Sequence, residues 1–310
     1  MYFTNNYKSH TFSQNMKPIK ELLNFSLINI DKPAGPTSFS VSEFVCRRLG
    51  LSKTSHMGTL DPKVTGVLPI TLGRACKLAS YFIRHDKCYV GILHTHKEMK
   101  ISDLQKLVDE NFIGKIKQTP PNRSAVKREE REREIYSFQF LESSESKRDF
   151  LFSCSVEGGT YIRKICSDLG EKIGGAHMGE LRRTEAGIFS EDSLVSLYEF
   201  ETAVSKFESG NEDELRAMLV PAEVAVKRVM KSVYVDKRAL KALHTGKPLF
   251  SKDIIVVDDV VLKDGEVFAL FTEEDVFVGV YRKIGGGKMD KEKVTTGGNE
   301  IFGRSEFVFN

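Results

Sequence analysis

The chain has 310 residues, of which 40% are hydrophobic and 29% charged, and its formal net charge is +3. This composition is ordinary for a soluble globular protein, the length favours two domains over one, and the mild positive charge permits an anionic partner without requiring one. No apolar run approaches the ~18 residues of a membrane span. The five cysteines are scattered and form no CxxC pair, which argues against a zinc site and a disulfide framework. Reduced cysteines favour a cytoplasmic protein.

The first elements are a polar arm, a strand and a helix. Residues 1–23 are polar and show little pattern, and 27–30 predict a short apolar strand that runs into a turn rich in Pro and Gly. Ser38 or Ser40 is expected to cap the next helix, and Gly50 to end it.

The middle of the chain mixes strands and helices in an irregular order. Apolar runs predict strands at 67–70 and 87–93, and alternation of apolar and polar residues predicts another at 150–156. Helical spacing of apolar residues predicts helices over 101–112 and 162–173. This irregular order predicts an α+β domain with a mixed, mainly antiparallel sheet.

The character of the chain changes after about residue 220. A short helix over 235–244 precedes strands at 254–257, 267–270 and 276–280, which are separated by turns rich in Asp, Gly and Glu. Closely spaced short strands predict a small barrel-like β domain. We therefore expect three parts: an N-terminal arm at 1–23, an α+β domain at 24–228 and a small β domain at 229–310.

The segment GTLDP at 58–62, followed by Thr65 and Gly66, carries the first candidate chemistry. An Asp before Pro is common in turns, because its side chain can bond to nearby backbone, so Asp61 alone reads as a turn residue. In a cleft, however, a carboxylate held at a fixed direction could stabilise or trap oxocarbenium character at a sugar carbon. That role needs an ionised carboxylate, which a nearby cation such as Arg163 would favour.

Four further residues have both a structural and a functional interpretation. Arg163 lies in the first turn of a predicted helix, where it is either a helix-end arginine or the partner of an anion. Tyr89 and Tyr161 are either half-buried aromatics or platforms on which a base could stack. His56 is either a plain loop histidine or a contact with nucleic acid.

A basic segment over 115–133 is either a solvated surface or a rigid rim, in which the basic cluster after Pro120 and Pro121 contacts phosphates. A second basic cluster at 180–184 contains the apolar Leu181. The chain has no GxGxxG after a strand, no Walker loop, no HExxH and no GxSxG, so no cofactor or metal is predicted.

Taken in order, the segments KPAGPTS, HMGTLDPKVTG, KCY and GGTYIRK resemble the successive motifs of B-type tRNA pseudouridine synthases. The segments TPPNRSAVKREEREREIY and GAHMGELRRTEAG are similar to the archaeal dyskerin-like branch, and the C-terminal part resembles a PUA RNA-binding domain. The resemblance covers roughly residues 22–304. It implies a pseudouridine synthase fold, with the N-terminal arm packed on the PUA domain.

The resemblance also implies roles for single residues. Asp61 corresponds to the catalytic aspartate, Arg163 to the arginine that pairs with it, and Tyr89 to the tyrosine that stacks on the target base. The remaining substrate-binding candidates are Leu181 in the uridine pocket, Lys32 beside it, His56 near the flipped nucleotide, and Tyr161.

Bacterial members carry a long insertion that grips the tRNA, and here Lys127 runs directly into a predicted strand. The resemblance therefore favours a guide-dependent enzyme: the catalytic subunit of an H/ACA ribonucleoprotein that acts on ribosomal RNA with a guide RNA and small partner proteins. A stand-alone synthase for the tRNA T-loop uridine, or an enzyme with both activities, is the second interpretation. A non-catalytic RNA-binding factor for ribosome assembly is the third.

Overall fold

The computed structural model describes residues 17–119, 129–257, 262–285 and 300–309. The chain divides into two compact units between Pro221 and Ala222, whereas the boundary expected from the sequence lies after residue 228. Among the described residues, no helix is long and apolar enough to cross a bilayer.

The first unit contains a large sheet and a set of short and medium helices. Its strands are β1 (Ser26–Lys32), β2 (Thr54–His56), β3 (Thr65–Leu72), β4 (Lys87–Thr95), β5 (Gly114–Gln118), β6 (Arg131–Ser143), β7 (Asp149–Val156), β8 (Ala176–Ala186), β9 (Phe189–Ser190), β10 (Val195–Ser196) and β11 (Leu219–Pro221). Its helices are α1 (Ile19–Asn24), α2 (Ser38–Arg48), α3 (Ala79–Ile83), α4 (Ile101–Asn111), α5 (Ile162–Ile173), α6 (Leu197–Glu208) and α7 (Asp213–Met218).

The main path of the sheet runs β10-β1-β3-β8-β4-β7-β6-β5, and β11, β2 and β9 attach beside β1, β3 and β8. The pairs β1–β10 and β3–β8 are parallel, and the other pairs are antiparallel. The predicted α+β fold with a mixed, mainly antiparallel sheet is confirmed. The parallel pair β3–β8 matters for function, because it brings the start of β3, just after Asp61, beside the middle of β8.

The core forms where the pattern of the sequence matches the period of the element. Alternate residues of β4 and β7 are buried, as a strand with one face on a core requires. On α5, Ile162, Ile165 and Leu169 are buried, and Gly174 ends the helix with φ +86°, a left-handed conformation that favours glycine. Phe138 and Phe152 stack at 4.6 Å between ring centroids inside the same core.

Two local predictions need correction. Neither Ser38 nor Ser40 caps α2, because the Thr37 hydroxyl accepts a hydrogen bond from the Ser40 amide at 3.0 Å and so takes the cap position. The C-terminal helix is also shorter than predicted, since a 3-10 turn over Lys237–Ala239 leads into it. In addition, the sequence pattern predicts only a basic cluster at 180–184, where the structure has strand β8.

The second unit is a nearly closed barrel of six strands, as predicted. It begins with α8 (Ala222–Val229) and includes α9 (Leu240–His244). Its strands lie in the order β13-β17-β16-β15-β12-β14, and its core is apolar and aromatic. The strands are β12 (Ser232–Val235), β13 (Leu249–Phe250), β14 (Ile254–Val257), β15 (Val267–Thr272), β16 (Phe277–Lys283) and β17 (Ile301–Val308).

Two predictions fall partly outside the described residues. Residues 1–16 of the predicted arm lie outside them, while its end forms α1, whose Ile19, Leu22 and Leu23 are buried in the core of the first unit. Residues 120–128 of the basic segment also lie outside. The flanking part forms the β5–β6 hairpin, where exposed ion pairs join Lys115 to Glu132 and Lys117 to Glu130.

Candidate active site

Asp61 lies on the loop that connects β2 to β3, and about half of its side chain is exposed. Glycines flank it on both sides, Gly58 with φ +106° and Gly66 with φ +100°, a region that L side chains rarely adopt. A Cβ on Gly66 would lie 2.2 Å from the carbonyl oxygen of Arg183 on β8. The loop therefore leaves its strand at a point where only glycine fits.

Lys32 supports this loop from beneath. Its side chain is fully buried, and its ammonium donates hydrogen bonds to the carbonyls of Pro33 at 2.9 Å, Pro62 at 3.1 Å and Val64 at 2.8 Å. Burial lowers the pKa of Lys32 from its ordinary value. The structure thus directs Lys32 towards the backbone that follows Asp61, so any effect of Lys32 on the substrate passes through the loop.

Ser38 and Gly35 hold the loop from the other segment of the first motif. The Ser38 hydroxyl accepts a hydrogen bond from the amide of Leu60 at 2.8 Å and donates one to its carbonyl at 3.0 Å. The Gly35 amide donates to the carbonyl of Pro62 at 2.9 Å. Asp61 is therefore fixed by contacts to both of its neighbours, which explains why KPAGPTS accompanies GTLDP in the sequence.

Arg163 reaches Asp61 from α5. Its guanidinium Nη2 donates to the Asp61 carboxylate, across 102 residues of sequence, and both side chains remain about half exposed. Because the pair lies at the surface, the two groups are available to an incoming ligand. The structure therefore brings together the carboxylate and the cation that the sequence singled out.

Gln118 fixes the start of α5 and was not identified from the sequence. Its amide is 2% exposed, accepts a hydrogen bond from the Tyr161 amide at 2.9 Å and donates one to the Tyr161 carbonyl at 3.2 Å. Tyr161 itself is half-buried at the first residue before the helix. The position of Arg163 thus depends on a side chain at the end of β5.

Replacing Gln118 with leucine should test this dependence. The change leaves the Tyr161 backbone groups without their buried partner, so we expect a loss of about 1–3 kcal/mol in the free energy of unfolding. The displaced helix start should also slow single-turnover product formation by about 10- to 100-fold. Urea denaturation and quenched single-turnover assays measure the two effects, and the exposed Gln139→Leu on β6 is the matched control. Equal behaviour of both variants would contradict the role of Gln118.

Tyr89 and Leu181 lie on the buried face of the β4–β8 pair. Tyr89 is 9% exposed and Leu181 8% exposed, and Leu181 pairs with Gly91. Burial raises the pKa of the Tyr89 hydroxyl, which keeps it neutral. A base could reach only the small exposed part of Tyr89 in this conformation, so the predicted stacking contact stays a prediction.

Arg183 is the largest fully buried side chain in the described structure, and the sequence analysis did not single it out. It lies directly opposite Tyr89 on the neighbouring strand. Its Nε donates to the carbonyl of Val67 at 2.8 Å and its Nη2 to the carbonyl of Gly58 at 3.0 Å. In the sequence, a signal was present: consecutive arginines on a strand must point to opposite faces, and Arg182 is the outward one.

His56 lies on β2, two residues before Gly58, and is partly buried. Its Nδ1 is buried and has no hydrogen-bond partner among the described residues. Burial, and then the charge of Arg183, lower the pKa of the imidazole, which is therefore neutral near pH 7. The predicted contact of His56 with the flipped nucleotide stays a prediction.

Lys87 places a second cation beside Arg183. It is 4% exposed and donates hydrogen bonds to the carbonyls of Ile83 and His85. Burial, and then the charge of Arg183, lower the pKa of Lys87 to about 8. The region beneath the Asp61 loop thus contains two buried positive charges.

The pKa of Lys87 has a consequence for stability. Its pKa falls from 10.5 to about 8 on folding, so between these values the unfolded chain binds more protons than the folded one. Lys87 by itself should therefore add up to ~3 kcal/mol to the free energy of unfolding as the pH increases from about 8 to about 10.5. The buried Cys154 and Cys166 thiols, whose pKa values burial raises, act in the opposite direction over the same range, so the contribution of Lys87 is read as a difference between variants. The stability of Lys87→Met relative to the wild type should fall by that amount across the range, while that of the exposed Lys53→Met stays level, as measured by urea denaturation. An unchanged difference between Lys87→Met and the wild type would contradict the assignment.

The described residues offer no other candidate site. No group of three or more His, Cys, Asp or Glu side chains there is arranged to hold a metal ion. A shallow groove runs along the exposed side of α6 from Tyr198 to Asn211, and none of the predicted site residues lines it. The candidate site is therefore the Asp61 loop with the elements that hold it.

Comparisons with known proteins agree on one family. The profile of the TruB family pseudouridylate synthase (N terminal domain) matches residues 47–162, and that of the tRNA pseudouridylate synthase B C-terminal domain matches residues 163–227. The probable tRNA pseudouridine synthase B of Archaeoglobus fulgidus is 42% identical over 280 residues, which cover 90% of this chain and 83% of that protein.

Two solved structures are similar over nearly the whole chain. A chain of the crystal structure of a Cbf5-Nop10-Gar1 complex has 34% identity and a TM-score of 0.83, covering 95% of this chain and 88% of that one. A chain of an H/ACA RNP bound to a substrate RNA containing 2′-deoxyuridine has 33% identity and a TM-score of 0.83, covering 96% of this chain and 89% of that one.

Proposed function

This chain belongs to the TruB family, in its archaeal Cbf5-like branch, and is a pseudouridine synthase, and from this premise we propose that it is the catalytic subunit of a guide-dependent H/ACA ribonucleoprotein that modifies ribosomal RNA. Its partners would then be a guide RNA, the target RNA and the small protein subunits of the particle. In such a particle the chain supplies the isomerase activity, and the guide RNA selects the uridine.

The observation that carries the proposal is the extent of the structural similarity. The matches to the two solved chains cover 95% and 96% of this chain, so they include the barrel unit as well as the sheet unit. The titles of those structures describe assemblies with Nop10 and Gar1 and an H/ACA RNP with substrate RNA. A chain of the same architecture throughout has the parts that such an assembly needs.

Short connections on the sheet unit also favour this reading. Only residues 119–130 connect β5 to β6, and only residues 96–100 connect β4 to α4. The bacterial members of the family, by the resemblance, grip tRNA with a long insertion after the equivalent of Lys127. An enzyme without that insertion has little surface of its own with which to hold a tRNA loop, so RNA pairing would supply the missing contacts.

The chemistry needs only the groups of the site. The reaction breaks the bond between ribose C1′ and uracil N1 and forms one between C1′ and C5, while N1 gains a proton and C5 loses one. Asp61 either attacks C1′ or removes the proton of C2′, and both roles require an ionised carboxylate. Arg163, in contact with that carboxylate, favours the ionised form. Substrate and product are isomers, so no co-substrate is consumed.

The remaining residues would bind the nucleotide after it leaves its stack, at a cost of a few kcal/mol. We assign the base contact to Tyr89 and the wall of the uridine pocket to Leu181. His56 and Tyr161 would contact the flipped nucleotide from the ends of β2 and α5. Lys32 would act through the loop, since its ammonium is used by three backbone carbonyls.

A stand-alone tRNA synthase is the second candidate, and a specific observation favours it. The curated relatives carry the name probable tRNA pseudouridine synthase B, which describes action on tRNA. An enzyme with both activities would satisfy both observations. A non-catalytic assembly factor is disfavoured, because the Asp61–Arg163 pair and the contacts that hold it are intact.

Activity with and without guide RNA tests the proposal. The purified chain would be assayed alone on a tRNA transcript with an unmodified T-loop uridine, and on a ribosomal RNA fragment with guide RNA and the small subunits. We expect product on the ribosomal fragment only when the guide is present, and little on tRNA. Efficient modification of the T-loop uridine by the chain alone would instead support the stand-alone enzyme.

A further inference from the structure

We propose that Arg183 is a positioning residue that holds the Asp61 loop at a fixed separation from the Tyr89 ring, by hydrogen bonding to the loop and lying beside the ring beneath the site. The inference rests on the proposed function, because it assigns Arg183 to the same reaction. It differs from that proposal in naming a residue that touches no reacting atom and acts through two groups that do.

The hydrogen bonds of Arg183 join β8 to both ends of the Asp61 loop, across 125 and 116 residues of sequence. Its Nη2 bonds to the carbonyl of Gly58, which begins the GTLDP segment, and its Nε bonds to the carbonyl of Val67 on β3. Tyr89 lies directly opposite Arg183 on β4, so the two side chains share one face of the sheet. The Arg183 guanidinium therefore connects both ends of the Asp61 loop and belongs to a residue directly opposite Tyr89.

The Asp61 loop packs closely against Arg183. A Cβ on Gly58 would lie 3.3 Å from Nη1 of Arg183, and a Cβ on Gly66 would lie 2.2 Å from its carbonyl oxygen. The loop thus packs against the guanidinium on one side and against the backbone of β8 on the other. A lysine ammonium is a point charge and cannot reproduce the directed fork of the guanidinium.

Its neighbour shows that the burial of Arg183 is unusual. Arg182 points outward and forms ion pairs with Asp31 and Glu191. Arg183 is 1% exposed, and among the described residues no carboxylate lies within ion-pair distance of it. Lys87, whose pKa the charge of Arg183 helps to lower, is another cation. A buried cation without a counter-ion is a costly way to fill a core, so its bonds to the loop are the feature that accounts for it.

The test uses Arg183→Lys, with Arg182→Lys as the matched control on the adjacent residue. In the guide complex, we expect Arg183→Lys to lower the single-turnover rate constant by about 100-fold, while the Kd for substrate RNA stays within about threefold. Arg182→Lys should leave both within about threefold. Tyr89→Phe removes the hydroxyl with little risk to folding, and adding it to Arg183→Lys should lower the rate by less than it does in the wild-type background.

A second measurement needs no activity. With 13C at the tyrosine Cζ, the signal of Tyr89 is assigned by its loss in Tyr89→Phe. It should shift in Arg183→Lys and stay in place in Arg182→Lys. An unshifted signal, additive rate effects, or a rate loss matched by the loss of folded protein would overturn the proposal. If the wild-type complex forms no pseudouridine on any substrate, the proposed function fails, while the 13C signal still decides whether Arg183 holds Tyr89.

Discussion

Asp61→Asn is expected to reduce pseudouridine formation by at least about 10⁴-fold in the reconstituted guide complex, while RNA binding is retained. Asparagine has the same shape but cannot carry the negative charge that attack at C1′ or proton removal at C2′ requires. The loop should keep its conformation, because its hydrogen bonds from Lys32 and Ser38 go to backbone atoms. Product would be measured in single-turnover assays and binding by filter retention of the RNA.

Asp31→Asn is the matched control for that experiment. Asp31 also pairs with an arginine, through two hydrogen bonds from Arg182 at 2.9 and 3.1 Å, but it lies on β1, outside the loop. Loss of a partly exposed ion pair of this kind should cost no more than about 1 kcal/mol of stability. Product formation by Asp61→Asn close to that of Asp31→Asn would remove Asp61 from the chemistry.

Arg163→Met is expected to lower the single-turnover rate by about 10² to 10³-fold, with a smaller change in the Kd for substrate RNA. The Arg163 guanidinium contacts the Asp61 carboxylate at the surface. In the absence of this contact, water would hydrogen-bond to both groups. Without the guanidinium, Asp61 loses the cation that favours its ionised form and the contact that orients it. Methionine keeps the length and helix propensity of the side chain, so α5 should remain folded.

Two further variants separate charge from structure at this position. Arg163→Lys keeps the charge but not the planar fork, so it should recover part of the lost rate. Lys164→Met removes the neighbouring cation, which pairs with Asp168 one turn along α5, and should leave the rate within about threefold. A rate for Arg163→Met near that of Lys164→Met would show that the contact with Asp61 plays no part in the reaction.

The elements that the sequence predicted well are those with one buried face. The alternation of β7 and the helical spacing of α5 follow directly from the burial of one side of each element. Strand β8 has no such pattern, because Arg183 occupies an inward position and Arg182 an outward one. Because a charged residue stands at a core position, the sequence pattern does not predict β8, although Arg183 on that strand holds the Asp61 loop.

Within the site, the motif residues could be named from the sequence, but the residues that hold them could not. Ser38 acts across 22 residues, Gln118 across 43 and Arg183 across 116, in each case on backbone atoms. Backbone groups are the same at every position, so no residue pattern marks which of them a distant side chain will bind. Ser38 was accordingly interpreted as a helix cap, although its hydroxyl points to Leu60.

Reprogramming the guide RNA tests the central claim most directly. The wild-type complex would be assembled with two guides that pair with different uridines of one target RNA, and the modified position mapped after each reaction. We expect pseudouridine to form at the uridine that each guide leaves unpaired. The Asp61→Asn complex should form pseudouridine at neither of these two positions. Modification of the same uridine with both guides, or without any guide, would contradict the account.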